Sequence, residues 1–531
     1  MKKTFVIHPF LFAIFPVLFL FAKNVNNYPL EVIVLPIAVT VSFALLVWLL
    51  LSLAVKNKQK AAMVVSLSIL LFFSYGHFHS AIGNLNLDIG GLPLSSNKIL
   101  FPVWGIFFFL GAYFSIRTRK NLYNFAKLLN GTAALLVGIS VVNIGLYKLK
   151  TGIAPQNNER TEDIKAQPTD SRKPAYLPNM YYIILDGYAR ADILREIYHY
   201  DNGEFLDDLS QKGFYVADKS RSNYPQTGLS VASSLNLKYL DDLAERLGSQ
   251  SNNRAPLRNM IRNSEVRHFL KQHGYTFVAF STGYSPTEIT NADVYIKTGY
   301  FNVFINGLIN TTPLPVVLSR LPLQYDIHRK GILYVLEYLV ETAERKDPIF
   351  VFAHIVAPHP PFVFGEQGEK KNPGRQFAFA DGSDFMKQKG ATRNEYLGNY
   401  TSQLIFINKK VKAVVDGILS KSDKPPIIIL QGDHGPGAML NWEAPDNSYL
   451  KERMSILNAY YLPDDGHIDL YDKITPVNTF RVIFNHYFGT SYSLLKDRSY
   501  FATWDHPYSF IDVTDNIGSE PNTKPAKESV K

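Results

Sequence analysis

Residues 425–435, which read PPIIILQGDHG, decide the fold of this chain. The apolar run from Ile427 to Leu430 is followed at once by Asp433 and His434 on a glycine-flanked loop. Apolar, β-branched runs of this length are typical of parallel strands that are covered on both faces. The stretch therefore predicts a buried strand that delivers a carboxylate and an imidazole to its carboxyl end.

A second run of the same kind, residues 180–187, reads MYYIILDG and delivers Asp186 in the same way. In open α/β sheets, ligands bind outside the carboxyl ends of the strands. Asp186, Asp433 and His434 together suit a divalent metal, Mn or Zn rather than Mg because of the imidazole. Taken alone, Asp186 could cap a turn and His434 could bond to a neighbouring carboxylate. Two strand ends of this kind favour the metal site.

Strand-like and helix-like runs alternate after about residue 179. The strand-like runs are Tyr182–Leu185, Gly213–Ala217, Thr276–Phe280, Ile349–His354 and Ile427–Leu430. The amphipathic, helix-like runs are residues 191–212, 256–273, 326–345 and 394–420. This alternation predicts an α/β domain whose central sheet is largely parallel and covered by helices on both faces.

The first 150 residues are different, because they consist of long apolar stretches almost without charge. Each stretch has about the length needed to cross a bilayer. They are residues 4–22, 30–55, 61–82, 99–116 and 128–147. The predicted organisation is a five-helix transmembrane domain over 1–150, a linker over 151–178, the α/β domain over 179–515 and a disordered tail over 516–531.

Lysine and arginine lie mainly in the loops on one side of the predicted spans, which predicts that this side and the N-terminus are cytoplasmic and the α/β domain is not. These residues are Lys2, Lys3, Lys56, Lys58, Lys60, Arg117, Arg119, Lys120 and Lys127. The net charge is +9, but the Lys and Arg residues form no basic stripe in the sequence, so no nucleic-acid partner is expected. The chain has no cysteine, so its core must hold the domain without disulfides.

Residues 221–235, RSNYPQTGLSVASSL, predict a turn at Tyr-Pro and then a helix rich in small side chains. Thr227 falls in the first turn of that helix, where free N–H groups and the helix dipole favour an anionic ester. A metal-bound Thr227 could act as a nucleophile. The alternative is that Thr227 only caps the helix, which contributes about 1 kcal/mol.

Residues 352–362, FAHIVAPHPPF, place His359 in a proline-rich turn after another strand. His359 could bind a substrate phosphate, protonate a leaving group or hold a second metal. His354 lies nearer the strand, where it could pack in the core or contact the substrate.

The order of these motifs resembles the alkaline phosphatase superfamily. The motifs are strand-Asp-Gly at 186–187, Tyr-Pro-x-Thr at 224–227, Pro-His-Pro at 358–360 and Gly-Asp-His-Gly at 432–435. The chain is most similar to the sulfatase-like, membrane-anchored branch, which includes lipoteichoic acid synthases, phosphoglycerol transferases and phosphoethanolamine transferases. The resemblance implies a metal site of Asp186, Thr227, Asp433 and His434, with Thr227 as nucleophile and His354 and His359 as substrate contacts.

The same resemblance implies a bacterial inner-membrane enzyme whose catalytic domain is periplasmic or extracellular. It would move a phospholipid headgroup, phosphoethanolamine or phosphoglycerol, to an envelope glycan or lipid through a phosphothreonine.

Two departures keep other functions open. The transferases usually have Glu where this chain has Asp186, and Asp is common in the hydrolytic branch, so a phosphodiesterase or phosphatase that uses water is the alternative. The Cys/Ser-x-Pro-x-Arg motif of true sulfatases is absent at Thr227. A non-catalytic scaffold of envelope assembly is the third hypothesis, and the intact set of site residues argues against it.

Overall fold

The computed structural model describes residues 6–25, 28, 30–83, 88–89, 92–93, 96–153, 176–297, 303–317, 323–375, 377–388, 390–443 and 445–518. The chain divides into two compact units. One unit comprises residues 1–158 and 302–321, and the other comprises residues 159–301 and 322–531. Most of the predicted linker and tail, residues 154–175 and 519–531, lies outside the described residues.

The first unit is a helical bundle. Within the part of the chain that the structure describes, four of its helices are long and apolar enough to cross a membrane, over Leu30–Val55, Lys58–His79, Leu100–Arg117 and Tyr123–Tyr147. The first predicted span forms a shorter apolar helix of 16 residues, about 24 Å long, so the predicted number of five is approximate. The elements are α1 (His8–Lys23), α2 (Val34–Val55), α3 (Lys58–Gly83), β1 (Asp88–Ile89), β2 (Leu92–Pro93), α4 (Ser96–Arg117) and α5 (Tyr123–Ile153), with α12 (Val303–Asn310) and α13 (Leu314–Val317) from later in the chain.

Helix α1 contacts α2, α3 and α5, and one face of it, including Phe12, Val17 and Phe21, is buried. The longer helices instead expose large apolar side chains such as Leu53 and Phe109. Apolar side chains on the outside of a bundle are what a lipid environment requires.

The second unit is built on one seven-stranded sheet in the order β4-β9-β8-β3-β7-β5-β6. Strands β8, β3, β7, β5 and β6 are parallel to one another, and β9 runs antiparallel to both of its neighbours, β8 and β4, which confirms the largely parallel sheet. The strands are β3 (Met180–Leu185), β4 (Tyr215–Val216), β5 (Thr276–Phe280), β6 (Val294–Ile296), β7 (Ile349–Ile355), β8 (Ile427–Gln431) and β9 (Asn458–Tyr461), and β10 (Tyr500–Phe501) pairs separately with β11 (Ile511–Asp512).

Helices cover both faces of the sheet. As a result, all six side chains of the central strand β3 are buried. Alternate residues enter two different cores: Ile183 packs in the core that includes α14 and α16, and Tyr182 in the core that includes α8 and α18. The helices of this unit are α6 (Ala191–Glu196), α7 (Gly203–Gln211), α8 (Thr227–Leu235), α9 (Asp241–Leu247), α10 (Ala255–Arg262), α11 (Glu265–Gln272), α14 (Leu323–Glu341), α15 (Ser383–Met386), α16 (Arg393–Lys421), α17 (Leu450–Met454) and α18 (Pro476–Phe488).

Two predicted helices are each divided in two. Residues 191–212 form α6 and α7, separated by a segment in which His199 has a positive φ of 51°. Residues 256–273 form α10 and α11, and the hydroxyl of Ser264 caps the second helix by accepting from Arg267 N. Local capping and turn residues therefore interrupt an apolar pattern that continues through both helices.

The register places the predicted site residues at one edge of the sheet. Ile184 of β3 pairs with His354 of β7 on one side and with Gln431 of β8 on the other. Asp186 and Asp433 each lie two residues beyond these pairs, so both carboxylates emerge at the carboxyl ends of neighbouring parallel strands.

The first prediction concerns Gly435, which follows the Asp-His pair. A Cβ at this position would lie 2.0 Å from the carbonyl oxygen of Glu452. Gly435→Ala should therefore destabilise the α/β domain by about 1–3 kcal/mol through overpacking, measured as the melting temperature of the full chain in detergent. Gly398→Ala is the control, because it lies within α16 with nothing within 4 Å of its Cβ and should be neutral or slightly stabilising. Equal melting temperatures for Gly435→Ala and wild type would contradict the packing of this loop.

Candidate active site and metal centre

The loops after β3 and β8 are joined by a direct hydrogen bond. Gly187 has a positive φ of 70°, and its N–H donates to Asp433 Oδ1 at 3.1 Å. The Tyr400 hydroxyl supports the same loop, because it donates to Gly187 O at 2.9 Å and accepts from Ala189 N at 3.0 Å. The positions of the Asp186 and Asp433 carboxylates are therefore fixed relative to each other.

Three buried histidines surround these carboxylates, and each has Nδ1 held by an oxygen atom. His434 Nδ1 donates to Gly435 O at 3.0 Å, and His359 Nδ1 donates to Pro360 O. His354 Nδ1 lies 2.8 Å from the Thr287 hydroxyl, which itself donates to Tyr284 O. Such contacts fix the ring orientation and leave Nε2 free to bind a metal or a substrate.

The Nε2 atoms point at the acidic side chains, and that of His434 also lies 3.3 Å from Arg453 Nη2. His354 Nε2 lies 3.2 Å from Asp186 Oδ2. His434 Nε2 lies 3.5 Å from Asp186 Oδ1 and 3.4 Å from Asp433 Oδ2. His359 Nε2 faces a different carboxylate, Asp381 Oδ2, at 3.6 Å.

The donor set fits a divalent metal. Asp186, His354 and Asp433 are all buried, and one ligand atom of each lies within 4.8 Å of the others. Asp186 Oδ1, Asp433 Oδ2 and His354 Nε2 have no hydrogen-bond partner among the described residues. Buried polar atoms are normally satisfied, so three converging atoms without partners are what a metal site requires.

Protonation states also fit. Burial lowers the pKa of His434, and the nearby Arg453 lowers it further, so the imidazole is neutral near neutral pH. Burial opposes ionisation of Asp186, but His359 and a hydrogen bond from His354 hold its pKa below its usual range. Ionised carboxylate and neutral imidazole are the forms that bind metals.

Thr227 is the first residue of α8, as the sequence predicts. The N-cap position is Gln226, and no side chain caps the helix. The Thr227 hydroxyl instead lies 3.2 Å from His434 Nε2. Its position between a helix N-terminus and the candidate metal ligands suits an attacking oxygen.

Arg453 and Asp381 belong to the site but carry no recognisable motif in the sequence. Arg453 is buried; its Nη1 donates to Asp381 Oδ2 at 2.5 Å and to Gly435 O at 2.9 Å. Nε and Nη2 donate to Pro225 O at 2.9 and 2.7 Å. One guanidinium therefore joins the loop before Thr227 to the loop after Asp433. A buried arginine cannot be told in a sequence from the more usual exposed one.

A small open cavity lies above the Thr227 hydroxyl. Its walls combine aromatic rings with the charged groups of the site. It is lined by Gln226, Thr227, Tyr284, His359, Phe379, Ala380, Asp381, Asp384, His434, Trp442, Arg453 and Trp504. Thr227, His359 and His434 thus line the cavity, whereas Asp186, His354 and Asp433 do not.

More than half of the chain matches a known protein family. The Sulfatase family model matches residues 178–485. No curated protein sequence matches the chain significantly. Among solved structures, the C-terminal periplasmic domain of EptC from Escherichia coli in complex with Zn is 11% identical over 66% of this chain and 96% of that chain, with a TM-score of 0.42.

Two further solved structures are similar. The C-terminal periplasmic domain of the phosphoethanolamine transferase EptC from Campylobacter jejuni is 12% identical over 61% of this chain and 94% of that chain, with a TM-score of 0.37. The integral membrane lipooligosaccharide phosphoethanolamine transferase A from Neisseria meningitidis is 11% identical over 91% of this chain and 95% of that chain, with a TM-score of 0.38. The family match over residues 178–485 is the finding that assigns the domain: the chain belongs to the sulfatase family, and its α/β domain is that of an alkaline phosphatase superfamily enzyme.

Proposed function

We propose that the protein is a membrane-anchored, metal-dependent phosphotransferase. It moves a phospholipid headgroup, phosphoethanolamine or phosphoglycerol, to an envelope glycan or lipid through a phosphothreonine at Thr227. The observation that carries this proposal is the position of the Thr227 hydroxyl. It lies in a cavity at a helix N-terminus, 3.2 Å from His434 Nε2, with Arg453 on the same cavity wall.

The ligands proposed for the metal are Asp186, Thr227, Asp433 and His434, as the sequence predicts. We add His354, which was expected to contact the substrate, because it does not line the cavity and its Nε2 lies 3.2 Å from Asp186. Bound Mn or Zn would lower the pKa of the Thr227 hydroxyl and neutralise phosphodiester charge.

In the first step, Thr227 Oγ1, which has lost its proton to solvent before the cycle begins, attacks phosphorus. The Oγ1–P bond forms, the bond from phosphorus to the diacylglycerol oxygen breaks, and that oxygen takes a proton. His359 is the proposed proton donor, because it lines the cavity beside Thr227 and its Nε2 faces Asp381. Arg453 lines the cavity and contributes its positive charge near the phosphate, while its N–H groups hold the surrounding loops.

In the second step, an acceptor hydroxyl attacks the phosphothreonine and Thr227 is regenerated. The acceptor loses its proton to the neutral His359 left by the first step. The membrane helices serve this chemistry by confining the enzyme to the plane that contains its donor. The proposed location is the bacterial inner membrane, with a cytoplasmic N-terminus and the α/β domain outside the cytoplasm.

The second candidate function is that of a hydrolase. It is favoured by the residue at position 186, which is Asp in this chain, whereas the transferases usually have the longer Glu. In that case water resolves the phosphothreonine. Release of free headgroup at the same rate with and without an acceptor would identify a hydrolase. The scaffold hypothesis requires a site that neither binds metal nor reacts.

The second prediction tests the nucleophile. Thr227→Ala should lower headgroup transfer about a thousandfold or more, because the attacking oxygen is lost, and Thr227→Ser should retain measurable activity. The assay follows a labelled phospholipid in proteoliposomes with total envelope lipid and glycan as acceptor. Ser233→Ala is the matched control on α8, since that hydroxyl donates to Lys238 O, and it should keep wild-type activity. Activity of Thr227→Ala near that of wild type would refute the mechanism.

The third prediction tests the role of His354. Thr287→Val removes the hydroxyl that holds His354 Nδ1 and should weaken metal binding about 10- to 100-fold. The readout is the dissociation constant for Zn or Mn by competition with a chelator. Thr342→Val is the control, because that buried hydroxyl donates to Leu339 O. If both variants bind metal as tightly as wild type, His354 is not a ligand.

A further inference from the structure

Residues 302–321 lie between β6 and α14 in the chain, yet they belong to the membrane-helix unit. This stretch carries α12 and α13. It has no charged residue between Lys297 and Arg320. The sequence motifs of the catalytic domain give no reason for such an insertion.

Two side chains of α12 are buried against α1 and the segment that follows it. Phe304 is 1% exposed and Leu308 is 7% exposed, and both share an apolar core with Val17 of α1. The Phe304 ring packs edge-on against Phe21 at 6.2 Å and Tyr28 at 5.2 Å between ring centres. These side chains are therefore packed as in a protein core and do not form a superficial contact.

The backbone at the end of α12 also makes a specific contact with α3. Gly76 N donates to Thr311 O at 2.8 Å. A Cβ on Gly76 would lie 2.0 Å from Asn310 O and 2.7 Å from the Thr311 Cα. Only glycine allows this approach, so the docking of the inserted stretch depends on one position of a membrane helix.

We propose that residues 302–321 are a second attachment of the sulfatase-family domain to the membrane-helix unit, independent of the 151–178 segment. The connections on either side, residues 297–302 and 318–322, can span at most about 20 Å, whereas residues 154–179 could span about 90 Å. The docked insertion thus restricts the excursion of the catalytic domain far more than the long segment can. The restraint would keep the active site within reach of a lipid donor, and this purpose rests on the proposed function. The attachment itself does not depend on the proposed function.

The test uses the full chain with a protease site inserted between residues 160 and 161 and an affinity tag at the N-terminus. After cleavage in mild detergent, the fragment that begins at residue 161 should stay bound to the tagged fragment. Gly76→Ala should reduce its recovery about tenfold or more. This substitution lies in the N-terminal fragment, so it does not alter the sequence of the catalytic domain. Gly138→Ala is the matched control in α5, where nothing lies within 4 Å of the Cβ, and it should retain the fragment.

Two outcomes would overturn the proposal: loss of the fragment from the cleaved wild type, or full retention by Gly76→Ala. Neither readout depends on catalysis. An inactive Thr227→Ala chain that still retains its cleaved fragment supports the attachment, whatever the reaction proves to be.

Discussion

Two buried carboxylates, Asp186 and Asp433, lie at one edge of the sheet, and among the described residues their ion-pair partners are histidines alone. Burying a carboxylate without a compensating cation costs several kcal/mol. Arg453, the buried arginine nearby, is already paired with Asp381. The surrounding structure therefore holds two negative charges that require a cation, and a divalent ion meets that requirement best.

The parallel strands explain why these charges meet. Strands β3 and β8 are adjacent and in register, so their carboxyl ends deliver Asp186 and Asp433 side by side. Arg453 then joins the Asp433 loop to the loop before Thr227. The N-terminus of α8 with Thr227 is thereby brought to the same cavity as His434, beside the buried carboxylates.

The sequence predicts the parts of the site that depend on local pattern. Apolar runs define β3 and β8 almost to the residue, and Asp186, Asp433 and His434 follow directly from them. Arg453, Asp381 and Thr287 could not be predicted, because their roles come from long-range packing of loops and short helices. The insertion at 302–321 was missed for a similar reason: it is apolar but broken by glycine and proline, so it resembles neither a membrane span nor a strand.

A divalent ion is expected to hold the two carboxylates together. The most direct measurement is the metal content per chain, by inductively coupled plasma mass spectrometry, of full-length protein purified from its native membranes. About one equivalent or more of Mn or Zn is expected in the wild-type chain and in the control variant Asp384→Asn, which changes only a residue of the cavity wall. The variant Asp433→Asn should fold but should lose the metal. A folded wild-type chain that contains no divalent metal and takes up none when Mn or Zn is added would contradict this expectation.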